Sequence, residues 1–343
     1  MESDLTGEAP MPKTRAPISR RLALAAMAGG LSLPALAQGG TRIRHAYGEI
    51  LLPAPPRRVV SLGFTAHDTV LALGVTPVAI RHWFGSQPGG LWPWARPLVG
   101  GPQPVLLPRE ISIEAVAVLE PDLIIGIGSE IMPEQYAILS RVAPVLMHSP
   151  DRPPFGTAWQ EMVRSLGLAL SRQSRAEQLI AGLQRSFSEV RARHPEWAGR
   201  SATAAYNHGG ESGVFLPDDT RGRFLSELGF AAPAALGKLE RTRGFFAPLS
   251  PEDLSPLDAD LLLWVSSLEQ VPGIVSLPLR RFLRAHVEGR EVLTSPLAAA
   301  ALSFGSVLSL PFALQALEGE IALALDGDPA TRVPSAVKAG LAP

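Results

Sequence analysis

The chain repeats itself. Ile111-Ser112-Ile113-Glu114, running on to Asp122-Leu123-Ile124, aligns without a gap to Leu249-Ser250-Pro251-Glu252, running on to Asp260-Leu261-Leu262. Each copy places a serine where a helix N-cap belongs, an acid in the first turn, a short helix, and then an aspartate that opens an apolar strand. Between the copies, Ala176, Leu179, Ile180, Leu183, Phe187 and Val190 recur at three- and four-residue spacing, one stripe of an amphipathic helix. Ser174-Arg175-Ala176-Glu177 has the capping-box form and Pro195 ends the pattern. A helix from Ser174 to His194 would be roughly 30 Å long. Two similar units on either side of such a strut predict two lobes joined by a rigid helix.

The rest of the chain alternates short apolar runs with helical patterns, the mark of βαβ units and parallel sheet. Strands are predicted at Arg58–Leu62, Val75–Arg81, Asp122–Gly126 and Val142–Met147, with a helix from His67 to Leu73. Thr157 to Leu170 reads as helix. Beyond Pro195 follow a strand at Thr203–Tyr206, a helix at Arg221–Leu228 and a strand at Asp260–Val265. The expected class is α/β, two βαβ-type lobes with small parallel sheets joined by one long helix. The expected boundaries are 38–156 for the first lobe, 157–196 for the helical connection and 197–343 for the second lobe.

Composition narrows the function. With 31 Lys+Arg against 32 Asp+Glu, no nucleic-acid partner is expected. Cys 0 excludes disulfides, thiolate catalysis, iron–sulfur clusters and lipidation on an N-terminal cysteine. Residues 1–37 read as an export signal: Lys13, Arg15, Arg20 and Arg21, an apolar run from Leu22 to Leu33, then small residues at Ala35 and Ala37. Pro34 breaks a run already too short to span a bilayer. Ser19-Arg20-Arg21 with Leu24 resembles the twin-arginine signal, although Ala23 stands where Phe is usual, so general export stays open. A soluble periplasmic protein beginning near Gln38 is the expectation.

These features together resemble the class III periplasmic substrate-binding proteins of ABC importers, which carry iron–siderophore complexes and cobalamin. The resemblance covers the chain beyond residue 37. It rests on Arg58-Val59-Val60-Ser61-Leu62, the Leu71-Ala72-Leu73-Gly74-Val75 turn, both Ser-x-Glu…Asp-Leu units and the helix between them. The ferric-siderophore branch is favoured by Trp83-Phe84-Gly85-Ser86-Gln87-Pro88 with Trp92-Pro93-Trp94-Ala95, by Arg221-Gly222-Arg223-Phe224-Leu225, and by the segment from Ala301 through Ser303-Phe304-Gly305-Ser306 to Pro311. The resemblance implies a monomer with a cleft between two nearly fixed lobes. It also implies a ferric siderophore as cargo, an ABC permease dimer as partner, iron carried only inside that complex, and no resident cofactor.

A ferric siderophore demands aromatic walls and guanidinium donors. Arg81 and Trp83 follow a strand end, where ligands of open α/β sheets sit, and Trp92 and Trp94 lie in the same loop; the alternative for that loop is self-packing with buried indoles. In the second lobe the candidates are Tyr206, Arg221, Arg243, Phe245 and Trp264, the last with equal claim to the core. Two or more cleft arginines would favour an anionic catecholate or carboxylate over a neutral hydroxamate. The resemblance further implies that Glu114 and Glu252, one per lobe, dock arginines of the two permease subunits, beside their local role at a helix N-terminus.

No Gly-x-Ser-x-Gly, Walker loop or His-Glu-x-x-His occurs, and no two of the seven histidines stand four apart, so neither an enzyme nor a metal site is expected. The rivals are an exported α/β enzyme and, within the binding class, a cobalamin or haem carrier, for which Tyr206, His82 or His208 could supply an axial ligand.

Overall fold

The computed structural model describes residues 40–242, 244–265 and 271–342. The export-signal reading of 1–37 and the candidate Arg243 lie outside the described residues. Residues 40–343 form one compact unit.

The first lobe opens with a hairpin, β1 (Thr41–His45) and β2 (Gly48–Leu52), which the sequence reading did not anticipate. Then come β3 (Val59–Ser61), α1 (Ala66–Ala72), β4 (Ala79–Arg81), β5 (Val105–Leu107), α2 (Ile113–Val118), β6 (Leu123–Ile125), α3 (Pro133–Leu139) and β7 (Val145–Leu146). The five strands β3 to β7 form one sheet in the order β5-β4-β3-β6-β7, every pair parallel. β3, β4, β6 and β7 are buried along their whole length, which is why they read as continuous apolar runs rather than alternating ones.

Two helices, α4 (Trp159–Ala169) and α5 (Gln173–Arg193), follow. The α5 stripe is the predicted one: Ala176, Ile180, Leu183, Phe187 and Val190 are buried. The second lobe contains β8 (Ala202–His208), β9 (Glu211–Phe215), α6 (Thr220–Glu227), β10 (Phe246–Leu249), β11 (Leu261–Trp264), α7 (Val271–Val275), α8 (Arg284–Val287) and β12 (Glu291–Leu293). Its sheet runs β10-β9-β8-β11-β12. Only β8, β11 and β12 are parallel; β9 and β10 pair antiparallel, so this sheet is mixed where a parallel one was expected. The chain closes with α9 (Pro296–Phe304), α10 (Ser309–Ala324) and α11 (Pro334–Ala339).

The internal repeat survives in the strands but not in the helices. Asp122 accepts the backbone amides of Arg57 and Arg58, at 2.7 and 2.8 Å, ahead of β3. Asp260 accepts the amide and hydroxyl of Ser201, both at 2.8 Å, ahead of β8. Each aspartate thus ties the start of its own strand to the start of the neighbour, satisfying amides that precede the ladder. In the first copy Ser112 caps α2 through the Ala115 amide, 3.1 Å. In the second, Pro251 and Pro256 each lack an amide proton, and the segment forms turns and a short 3-10 stretch at Ser255–Leu257 instead of the expected helix.

One apolar core runs through both lobes, from Val59 and Val70 through α4 and α5 to Leu261, Leu263, Leu310 and Ile321. The lobes therefore share packed side chains rather than a bare linker, which opposes large hinge motion.

Candidate functional site

A cleft lies between the lobes, about 990 Å³ when the open solvent at its mouth is counted in. On the first-lobe side its wall comes from turns past the carboxyl ends of parallel strands: Phe64 after β3, Trp83 after β4, Arg109 after β5, and Gly128 with Glu130 after β6. Phe64 is the keel of this wall. Trp83 stacks on it at 5.6 Å and 21°, and the guanidiniums of Arg81 and Arg109 lie over its ring at 4.3 and 5.4 Å.

The opposite wall comes from the start of α6 and from Phe245. Asp219 caps α6 by accepting the Arg221 amide at 2.9 Å and also accepts the Arg221 guanidinium at 3.0 and 3.2 Å. The same guanidinium donates to the Ser303 hydroxyl at 2.8 Å and stacks over Phe215 at 4.1 Å. Phe155, from the segment leading into α4, meets Phe245 edge-on at 5.7 Å, bridging connection and second lobe.

The floor is the turn between α9 and α10. Gly305 adopts φ 53°, the left-handed conformation that ends a helix, and a Cβ there would come within 2.5 Å of the Thr220 methyl. The turn carries Phe304 into the first lobe, where Trp83, Phe84, Trp92 and Trp94 surround it at centroid distances of 5.6 to 6.1 Å. Beside it the Ser306 hydroxyl donates to the Asp68 carboxylate at 2.6 Å, and the Trp94 indole N–H donates to the same oxygen at 2.8 Å. Asp68 is fully buried; desolvation raises its carboxyl to about 7 against the lowering effect of those two hydrogen bonds. Burial lowers its neighbour His67 to about 4.

Trp83, Arg221 and Phe245 thus come together on the cleft. Other candidates are placed elsewhere. Trp92 is 6% exposed and stacked flat on Trp94, 5.4 Å and 4°, so both close the seam around Phe304 instead of facing the cleft. Arg81 lies one layer behind Phe64, its guanidinium consumed by the carbonyls of Arg109, Leu62 and Ser129. Tyr206 packs against Phe215 and Phe246 on the β8–β10 face, and its ring occupies the space over Gly213 that a side chain there would need. Trp264 is fully buried in β11 with its N–H donated to Glu291 at 2.8 Å, a core residue. Glu114 and Glu252 are both exposed, the first in the opening turn of α2 and the second in a turn.

The sequence reading missed Arg109, Phe155, Asp219 and Phe304 as cleft residues. Pro153-Pro154 ahead of Phe155 and Asp219 at an N-cap were the available signals; the Ser303-Phe304-Gly305-Ser306 segment carried the resemblance, but no cleft role was assigned to Phe304. Among the described residues no cluster of three metal-ligating side chains occurs, and no helix is long and apolar enough to cross a membrane.

The probable siderophore-binding lipoprotein YfiY of Bacillus subtilis is 28% identical to the chain over 231 residues, 65% of this chain and 67% of that protein. The achromobactin-binding periplasmic protein of Dickeya dadantii is 29% identical over 215 residues, 61% of this chain and 63% of that protein. The chain therefore spans about two thirds of the length of these curated relatives. Among solved structures, a periplasmic solute binding protein of Mycobacterium smegmatis is similar with TM-score 0.73 and 30% identity, over 83% of this chain and 98% of that one. The family model described as periplasmic binding protein matches residues 59–284, taking in the first-lobe wall, the connecting helices and the second-lobe wall. The chain belongs to the periplasmic binding protein family.

Proposed function

We propose that this protein captures a ferric siderophore in the inter-lobe cleft and delivers it, as an exported monomer, to an ABC-type permease dimer. The observation that carries the reading is the cleft itself, walled by Phe64, Trp83, Phe155 and Phe245 with guanidinium donors set among them. Names of both curated relatives point the same way. The shared core of the two lobes suits capture with small closure, and the family is one of binding proteins rather than catalysts. The haem alternative loses its candidate ligands, because Tyr206, His82 and His208 are not among the residues that line the cleft.

Tryptophan-fluorescence titration with ferric siderophores, cobalamin and hemin tests the reading. Saturable quenching by a ferric siderophore is expected; quenching by cobalamin alone, or a shifted Soret band with hemin, would replace it. Docking has its own test. Glu114→Ala with Glu252→Ala should abolish uptake in cells and leave the affinity of the purified protein intact; a weakened affinity would count against a docking role.

A further inference from the structure

The arginine-rich look of the sequence invites an anionic ligand, and the cleft does not support it. Among the described lining residues the ionisable side chains are Arg109, Glu130, Asp219 and Arg221, two of each sign. The balance extends behind the walls. Arg81 feels Glu130 and Glu110 against the like charge of Arg109, and Arg223 feels Asp218, Asp219 and Glu161 against that of Arg152. Arg241, outside the lining, is paired with Asp218 at 2.6 Å.

Arg221 and Asp219 set the character of the second-lobe wall. Asp219 cannot swing aside to leave Arg221 free for a ligand, because its Oδ1 also caps α6. Both side chains are nine-tenths buried, the pair is 3.0 Å apart, and Ser303 and Phe215 hold the guanidinium on its other sides. On this wall a ligand meets a neutral dipolar pair in place of a lone cation.

Building on the siderophore reading, we propose that Asp219 is a specificity residue that cancels Arg221, so that the cleft takes ferric complexes of zero net charge, the ferric trihydroxamates, and disfavours polyanionic tricatecholates. A trianion seated against this wall would shed hydration with no net cation to offset the loss, because the anchored carboxylate already cancels the guanidinium, at a cost of about tenfold or more in affinity. A neutral complex has no such opposition and loses nothing by meeting aromatic walls.

The experiment is a fluorescence titration of the whole protein, its Asp219→Asn variant and its Arg221→Gln variant with three probes: ferrichrome, which is neutral; ferrioxamine B, which is cationic; and ferric enterobactin, a trianion. Asparagine keeps the α6 cap and removes the charge. The unaltered protein should bind ferrichrome more tightly than ferric enterobactin, by about tenfold or more. Asp219→Asn should narrow that ratio by about tenfold or more, and Arg221→Gln should move preference the opposite way, toward ferrioxamine B. Opposite swings are something a merely structural pair would not produce. Tighter binding of the trianion by the unaltered protein, or a ratio that Asp219→Asn leaves in place, overturns the filter while the siderophore reading stands. If Arg221→Gln does not fold, the other two proteins still decide. Binding of none of the three ferric complexes overturns both the filter and the reading beneath it.

Discussion

Two groups of aromatic side chains start within a dozen residues of each other and end in different environments. Trp83 stacks on Phe64 at the cleft, half-buried, with one side toward the open space. Trp92 and Trp94 close around Phe304, whose ring comes from a helix more than two hundred positions further along the chain. The first group lines the cleft and only edges the seam, where Trp83 also reaches Phe304; the second packs wholly into the contact between the lobes. An indole in a Gly/Pro-rich loop is therefore no evidence of recognition by itself; what decides is whether the rest of the protein supplies a ring to fill the socket. With the seam beneath the cleft already packed, the walls have little room to close.

The sharpest way to break this division is Phe304→Ala. Truncation empties a socket formed by four aromatic rings and separates the lobes' contact, so unfolding free energy should fall by about 3–5 kcal/mol in urea or guanidinium titration. A loss under about 1 kcal/mol would mean that the seam collapses freely and that α5 alone holds the lobes.

The seam also contains two titrating groups of opposite behaviour. Asp68, raised to about 7, binds its proton more readily folded than unfolded, so it adds stability that is complete below about 4 and lost as pH rises toward 7. His67, lowered to about 4, is protonated more readily unfolded, so its contribution is complete above about 6.5 and lost as pH falls toward 4. Between those limits the two slopes oppose each other and the native protein should show a nearly flat stability profile. Asp68→Asn should unmask a loss of about 3 kcal/mol on acidification, and His67→Gln a gain of similar size. Chemical denaturation at several pH values from 4 to 7.5 reads the slopes. Parallel slopes in the two variants would show that the groups titrate as one coupled pair.

What could be read beforehand divides along the same physical line. The parallel strands β3, β4, β6 and β7 were legible because a strand buried on both faces must be a continuous apolar run, and α5 because its stripe persists from Ala176 to Val190. The hairpins β1–β2 and β8–β9 were not, since short mixed strands such as Glu211–Phe215 carry no strong period to flank the Gly209-Gly210 turn. Position fared worse than type. Arg81, Trp92, Trp94, Tyr206 and Trp264 are the right chemistry for a siderophore, and each is drawn elsewhere by a partner distant in sequence: Ser129, Phe304, Asp68, Phe246 and Glu291. Phe304 itself, at the end of the alanine-rich α9, has the local pattern of any core residue.

The smallest expected effects sharpen the comparison most directly, because they set one tryptophan against another. Trp83→Phe keeps an aromatic ring to stack on Phe64, so stability should change by less than about 1 kcal/mol. Its loss of contact area at the cleft should weaken the best ferric ligand by about five- to tenfold, and ligand-dependent quenching should drop with it. Trp92→Phe leaves a gap beside Phe304 and should cost about 1–2 kcal/mol of stability, with affinity and quenching kept. The pair separates the roles because each variant reports in a channel where the other is silent. If Trp92→Phe weakened binding and Trp83→Phe did not, the seam would be part of the recognition surface, and the division between the two aromatic groups would fail.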